Sequence, residues 1–307
     1  MSLIKNVHDH YHIQVIGLIR LSARVYKLKT NEKFYCLKFV SDQKLESAYN
    51  HILTLKLHHF VRLILNGENQ YFTPYEDGYF YLMEYLTADK EIQKEIKLKT
   101  YYHFLSYLHQ QSFFFQHIDD DFALMQQRDL FSLIQERKNC FEQYMKQFEV
   151  MRFRSPSGWM LVLNYCRITQ SLQQAYHYIH EYCQLLKQKN EIRLSLTYRH
   201  FSYDHIFVYE NKLVAIDQMR IDFCIYDIYD MFQSQHTFFD HFDSLLDCYL
   251  ENVCLQDEEK LLLSALLCIV PEIHFNGHEE HNIHEMSRVL NYLEGIDRVI
   301  SKLKIDC

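Results

Sequence analysis

Glycine is nearly absent from this chain. Among 307 residues there are six glycines and three prolines, about 3% together where roughly 12% is usual. The glycines stand at positions 17, 67, 78, 158, 277 and 295, and no two lie within ten residues of each other. Backbone that must approach a phosphate closely, or turn through positive φ, ordinarily uses glycine. The spacing excludes a P-loop, a G-x-G-x-x-G loop and a G-x-S-x-G nucleophile elbow. So few chain breakers also imply long helices. With 48% hydrophobic and 23% charged residues, the chain has ample material for a packed core and is globular. Its length suits one large domain or two lobes.

Charge is unevenly spread. Lys and Arg number 32 against 40 Asp and Glu, a net of −8. Residues 1–86 carry 10 against 8, or +2, and residues 87–307 carry 22 against 32, or −10. An acidic surface does not attract a phosphate backbone, so no nucleic acid partner is expected. The nine cysteines are scattered without a C-x-x-C and sit mostly in apolar contexts, which predicts buried, reduced thiols rather than a disulfide framework. The first residues, MSLIKNVHDHYH, lack the apolar stretch of a signal peptide. No segment reaches 18 uncharged apolar residues, so no membrane span is expected. The expected location is cytoplasmic.

Strands come first along the chain. Tyr11–Ile19 alternates imperfectly and Arg24–Lys29 well, with Val25 and Lys27 on one face and Tyr26 and Leu28 on the other. Asn31-Glu32 reads as a hairpin turn, and Phe34–Val40 as the next strand. From Gln43 the period becomes helical, through Leu45, Ala48, Ile52, Leu55 and His59. Two more strands, Gln70–Pro74 and Tyr79–Glu84, flank the turn Glu76-Asp77-Gly78. After Leu86 the texture is helical, with a stripe of Tyr102, Leu105 and Leu108 and long helices over 127–149 and 160–188. Between these two lies the chain's only Pro/Gly/Ser cluster, Arg154–Gly158. Short strands Ile206–Tyr209 and Lys212–Ile216 interrupt, and helices return from Tyr226. The expected class is α+β, with a β-rich lobe over 1–86 holding one helix and a helical lobe over 87–307 holding one hairpin.

Lys38 lies on a strand and Glu46 early in the following helix. Such a pair is how protein kinases hold the α- and β-phosphates of ATP, although strand lysines and helix glutamates are as a rule solvated surface charges. Tyr81–Leu86 closes the strand-rich part. Phe104–His109 follows, then Tyr198–Val208 leads into the hairpin, Ile216-Asp217 ends it, and Tyr226-Asp227 opens the next helix. In this order the pieces resemble the kinase-like fold of the aminoglycoside and choline phosphotransferases, over roughly residues 10–250. Within that group the chain looks most like the bacterial spore-coat branch, the CotS- and YutH-like proteins. The resemblance implies a two-lobed protein-kinase-like fold. It also implies a nucleotide site from Lys38, Glu46 and the hinge residues Glu84 and Leu86, and a metal-binding carboxylate at Asp217.

The chain departs from the family in its catalytic loop. Active members carry H-G-D-x-x-x-x-N, in which the Asp accepts the substrate proton and the Asn binds magnesium. Laid on this sequence, the motif falls on Tyr198, Arg199, His200 and His205. Asp204 as the base is disfavoured, because it stands only thirteen residues before Asp217 where His200 stands seventeen. The segment over the phosphates, Leu18–Arg24, has bulky side chains where glycines would serve. Histidine is a competent base near neutral pH, but imidazole at 205 is a softer ligand than magnesium prefers. The expected function is therefore that of a catalytically degraded kinase-like protein. Its role would be structural or scaffolding, with spore-coat or other proteins as partners, in the cytoplasm or the spore coat, and with no cofactor. The alternative is an ATP-dependent small-molecule phosphotransferase using Mg²⁺, with Lys38, His200 and Asp217 in its site and His205 as a degenerate metal position.

The nineteen histidines suggest no metal centre. His278 and His281 are spaced i, i+3, unlike the H-E-x-x-H motif. With His274 and His284 they read as a solvated helix start, and His8, His10 and His12 as a row along an extended surface segment.

Overall fold

The computed structural model describes residues 3–41, 45–87, 89, 91–234 and 242–303. From the N-terminus run helix α1 (Leu3–Tyr11), strands β1 (Gly17–Arg20), β2 (Val25–Lys29) and β3 (Phe34–Val40), and helix α2 (Leu45–Thr54). Strands β4 (Leu63–Ile64), β5 (Thr73–Tyr75) and β6 (Gly78–Glu84) precede helix α3 (Lys94–Ser112), strand β7 (Phe114–His117) and helices α4 (Phe122–Glu149) and α5 (Pro156–Leu186). Then come strands β8 (Glu191–Thr197), β9 (Ile206–Phe207), β10 (Lys212–Leu213) and β11 (Arg220–Asp222). Helices α6 (Ile225–Ser234), α7 (Phe242–Leu250), α8 (Asp257–Cys268) and α9 (Glu279–Lys302) complete the chain. By compactness it forms two units, residues 1–104 with 198–220, and residues 105–197 with 221–307. The chain passes from one unit to the other three times, after residues 104, 197 and 220. The 198–220 segment joins the first unit through its backbone, with Leu213 N–H donating to the His59 carbonyl at 2.7 Å and Val61 N–H to the Leu213 carbonyl at 2.9 Å.

The first unit is built on an antiparallel sheet ordered β1-β2-β3-β6-β4, with β5 also paired to β6. Its β2 and β3 turn at Thr30–Lys33, where Thr30 Oγ1 donates to the Lys33 carbonyl at 2.8 Å. Gly78 opens β6 against β3, and a Cβ there would lie 2.7 Å from the Val40 carbonyl oxygen. One face of the sheet buries Leu28, Leu37, Phe80 and Leu82 against Val7 and Tyr11 of α1. The extended histidine row expected at the N-terminus is therefore a helix instead. Val7 and Tyr11, one turn apart, share a buried face that outweighs the strand-like alternation of the histidines. The strand expected from Tyr11 begins only at Gly17.

The second unit is mostly helical. Helix α5 packs against α4, α8 and α9. It begins at Pro156, with Ser155 as its N-cap accepting from Gly158 N–H, so the Arg154–Gly158 cluster is a helix start as much as a loop. Strands β11, β8 and β7 form a small sheet. Its strands are not among those the sequence pattern predicts, although Ile192, Leu194 and Leu196 alternate and are all buried. The expected strand Lys212–Ile216 stops at Leu213, because Ala215 adopts φ 61°, ψ 57° and Ile216–Gln218 winds into a 3₁₀ turn. The eight described cysteines are free: four are buried, while Cys166 and Cys254 are exposed, contrary to uniform burial. Cys307 and the expected helix start at Gln43 lie outside the described residues. Among those described, no helix is long and apolar enough to cross a membrane.

Candidate functional site

Sheet register builds the site in the first unit. Lys38 on β3 is paired directly with Tyr81 on β6, and cross-strand partners project from the same face. Both side chains end on one carboxylate. Lys38 Nζ donates to Asp217 Oδ2 at 2.5 Å, and Tyr81 Oη donates to Asp217 Oδ1 at 3.1 Å. The ion pair is largely sheltered, with side chains 11% and 17% exposed. Burial and the neighbouring Asp217 charge push the Tyr81 phenol well up, so it remains a donor. Asp217 owes its position to the left-handed Ala215 and the short turn that follows. Helix α2 packs against that turn. Glu46 lies in the first turn of α2, half-buried and partnered.

The loop at 198–205 is held at many points. Tyr198 Oη donates to the Val214 carbonyl at 2.5 Å, and Tyr101 meets the rings of Tyr198 and Phe201 edge-on. Lys97 Nζ donates to the Tyr203 carbonyl at 3.0 Å. Buried Asp89 accepts from the Val208 and Tyr209 amides at the head of the hairpin. Arg199, where the family motif has glycine, takes φ 57°, the left-handed region that glycine suits. His200 and His205 face each other edge-on with ring centroids 4.5 Å apart. His205 Nδ1 lies 3.1 Å from the His200 carbonyl. A carbonyl only accepts, so Nδ1 carries the proton and Nε2 the lone pair. Burial, above all, drives the His205 imidazole down to about 4. Burial and the Lys38 ammonium also lower His200, against an opposing pull from Asp217. Both rings are therefore neutral at pH 7. His200 Nδ1 is buried with no hydrogen-bond partner among the described residues. Asp204, the disfavoured base, is exposed.

A cavity of about 360 Å³ adjoins this cluster. Val25, Cys36, Met83, Phe207 and Val214 contribute its apolar wall, and Lys38, Glu84, Tyr85, Leu86 and His205 also line it. Glu84, at the end of β6, takes Lys33 Nζ at 2.8 Å in an exposed pair, and the Tyr85 amide donates to the Phe34 carbonyl at 3.2 Å. The β1–β2 turn borders the same cavity through Leu21 and Ser22. Its Leu21 and Ser22 amides both donate to the Val25 carbonyl, at 2.9 and 3.1 Å. Those amides close the turn on itself.

The structure thus brings together Lys38, Asp217, His200 and His205, with Leu86 and Glu84 on the adjoining cavity. Tyr81, Asp89 and Lys97 are missed by motif reasoning. Tyr81 could have been found by pairing Phe34–Val40 with Tyr79–Glu84 in antiparallel register. Asp89 and Lys97 carry no local signal, since their partners are backbone groups more than a hundred residues away. The histidines at 274, 278, 281 and 284 form no centre. No group of three or more His, Cys, Asp or Glu side chains among the described residues is placed to hold a metal.

In the second unit, His109 and Asp227 meet in the core. His109 Nε2 lies 3.0 Å from Asp227 Oδ2 and Nδ1 lies 2.8 Å from Tyr249 Oη, and both members of the pair are fully buried. Asp227 is thus enclosed rather than solvated.

No protein-family profile matches the sequence, and no curated protein matches it. Solved structures do match the fold. An aminoglycoside phosphotransferase from Alicyclobacillus acidocaldarius subsp. acidocaldarius DSM 446 superposes with a TM-score of 0.74 at 12% identity, covering 99% of this chain and 96% of that one. A spectinomycin phosphotransferase in complex with ADP and spectinomycin gives 0.57 at 10% identity, covering 96% and 98%. A microcompartment-associated aminopropanol kinase gives 0.52 at 12% identity, covering 97% and 96%. The chain has the α+β, two-lobed kinase-like fold of the aminoglycoside phosphotransferases.

Proposed function

We propose that this protein binds ATP in the cavity beside Lys38 and transfers its terminal phosphoryl group to a small hydroxylated molecule. The observation that carries the proposal is the joining of Lys38 to Asp217 at 2.5 Å beside a cavity lined by Glu84, Tyr85 and Leu86. Its volume is within the range of small-molecule sites. The shared fold supports the same reading, since one neighbour is a complex with ADP and spectinomycin and another is a kinase of aminopropanol.

The residues suit a nucleotide better than they suit a metal ion. Lys38 supplies the cation for phosphate oxygens, and Val25, Cys36 and Met83 supply apolar surface for a base. Asp217 is joined to Lys38, Glu84 and Asp204 line the cavity, and the His205 imidazole has its Nδ1 engaged with a carbonyl. No three such groups among the described residues are placed to hold a metal. Magnesium prefers oxygen, which the imidazole at 205 does not offer. His200 would take the proton from the acceptor hydroxyl. Its lowered pKa keeps the ring neutral at pH 7, so one of its two nitrogens holds a lone pair. A positioned base of this kind contributes about 10²–10⁴-fold.

A second reading rests on the β1–β2 turn. Amides that close on Val25 are not presented to phosphate, which favours a kinase-like scaffold without turnover, such as a spore-coat component. One experiment separates the two. Labelled ATP is incubated with the protein and a panel of aminoglycosides and amino alcohols, alongside thermal melts with ATP. Transfer that is lost in Lys38→Ala and Asp217→Ala, and falls at least about 100-fold in His200→Ala, supports the enzyme. Absence of both transfer and nucleotide-dependent stabilisation overturns it in favour of the scaffold. Stabilisation without transfer overturns catalysis but keeps nucleotide binding.

A further inference from the structure

The turn between α4 and α5 exposes apolar side chains that the described residues leave uncovered. Val150 is 85% exposed, Phe153 83% and Leu163 74%, and Trp159, the only tryptophan in the chain, is 46% exposed. Trp159 and Leu163 are four residues apart on α5 and so share a face. The backbone that carries them is firmly held. Arg154 Nε donates to the Phe148 carbonyl at 2.8 Å, and Ser155 Oγ caps the Gly158 amide at 3.2 Å. The Ser157 amide and hydroxyl donate to the Glu279 carboxylate at 2.7 and 3.1 Å. The apolar side chains are thus presented by an anchored turn, not by a frayed end.

Cations accompany them. The Arg152 guanidinium lies 5.5 Å from the Phe153 ring centroid, and that of Arg154 lies 4.8 Å from Trp159. Residues 146–167 contain Lys146, Arg152, Arg154 and Arg167 against Glu149 alone, a net of 4 − 1 = +3. They sit within a stretch, 87–307, whose net is 22 − 32 = −10. The nearby Glu279 is occupied with Ser157. We propose that this turn is a membrane-surface anchor, placing Val150, Phe153, Trp159 and Leu163 at the headgroup–acyl boundary of an anionic bilayer with Arg152 and Arg154 on lipid phosphates. Tryptophan and arginine beside projecting apolar residues match that interface, and the local positive charge matches its negative surface potential. The described helices cannot cross a membrane, so the attachment is to the surface. A partner protein or a second copy would need a complementary surface, whereas a bilayer accepts a projecting turn as it stands.

The single tryptophan makes the test direct. The full-length protein is mixed with vesicles of phosphatidylcholine, or of phosphatidylcholine with about a third phosphatidylglycerol. The expected result is a blue shift of Trp159 emission, protection from acrylamide quenching and co-flotation with the anionic vesicles, all weakened by high salt. Binding to neutral vesicles should be roughly ten-fold weaker or less. The variant Arg152→Gln should co-float several-fold more weakly and Val150→Ser/Phe153→Ser roughly ten-fold more weakly, both with unchanged melting temperatures. Unchanged emission together with no flotation of the wild-type protein overturns the proposal, and that readout needs no variant. Equal flotation of all variants also overturns it. So does self-association in sedimentation that the variants abolish while vesicles have no effect, which would assign the patch to a second copy.

Discussion

Two left-handed residues border the candidate site, and neither is glycine. Seven described non-glycine residues have positive φ, among them Arg199 and Ala215, and no described glycine does. A side chain in that region costs about 1 kcal/mol. Ala215→Gly should therefore raise stability by about 0.5–1 kcal/mol in urea denaturation, because the native φ of 61° is one glycine adopts freely. A loss of stability would show that the turn is held by contacts of the alanine methyl. His205 carries a second prediction, with its sign set by burial. Its folded pKa is about 4 against 6.5 for the unfolded chain, so both states are neutral at pH 7. As pH falls through that window, the unfolded state takes a proton that the folded state refuses. Stability is thus lost between about pH 6.5 and 4, on the order of 1–2 kcal/mol by pH 5. Denaturation at pH 7 and 5 should show a smaller loss in His205→Gln than in the unaltered chain. His200, lowered in the same direction, adds to the slope that remains.

Helix α3 is tied to α6 and α7 by the buried chain Asp227–His109–Tyr249. Removing one member leaves a polar group without its partner in a site closed to water. Asp227→Ala should accordingly cost about 3–5 kcal/mol in denaturant unfolding, with Asp227→Asn costing less. A loss under 1 kcal/mol would mean that the pair is replaced by other contacts. Helix α5 supplies a contrast between propensity and packing. Alanine is favoured over glycine in a helix by about 1 kcal/mol, yet a Cβ at Gly158 would lie 2.7 Å from Cδ1 of Phe148. The ring is buried and cannot easily move, so Gly158→Ala should lower the melting temperature, with a net cost of about 1–2 kcal/mol.

Thiol chemistry reports on packing across both units. Burial raises Cys36 and Cys183 to about 11 and Cys268 to about 12, and Cys224 well above its usual range. A thiol held protonated and out of solvent does not react. In a timed reaction with a thiol-specific disulfide reagent, Cys166 and Cys254 should modify first among the described cysteines of the native protein. Cys36, Cys183, Cys224 and Cys268 should modify only on unfolding. Fast native modification of Cys36 in particular would show that the cavity beside Lys38 opens further than its walls indicate.

Much of this architecture can be read along the chain. The scarcity of glycine and proline leads to helices as long as α4 and α5, and strand β3 follows from its own composition after the turn at Asn31-Glu32. Lys38, His200 and Asp217 are legible as candidates because their order and spacing match a known arrangement. The partners are not legible. That Tyr81 shares Asp217 with Lys38 depends on which residues of β3 and β6 stand opposite each other. That Asp89 holds the hairpin depends on backbone amides far along the chain. The same limit applies to α1, whose histidines alternate like a strand but whose Val7 and Tyr11 find the sheet, and to β7, β8 and β11, which exist as strands only by pairing. Local propensity and spacing act over a few residues. Register, burial and the pairing of charges arise where distant segments meet, and there the free energy of contacts outweighs the weak preferences that a linear pattern records.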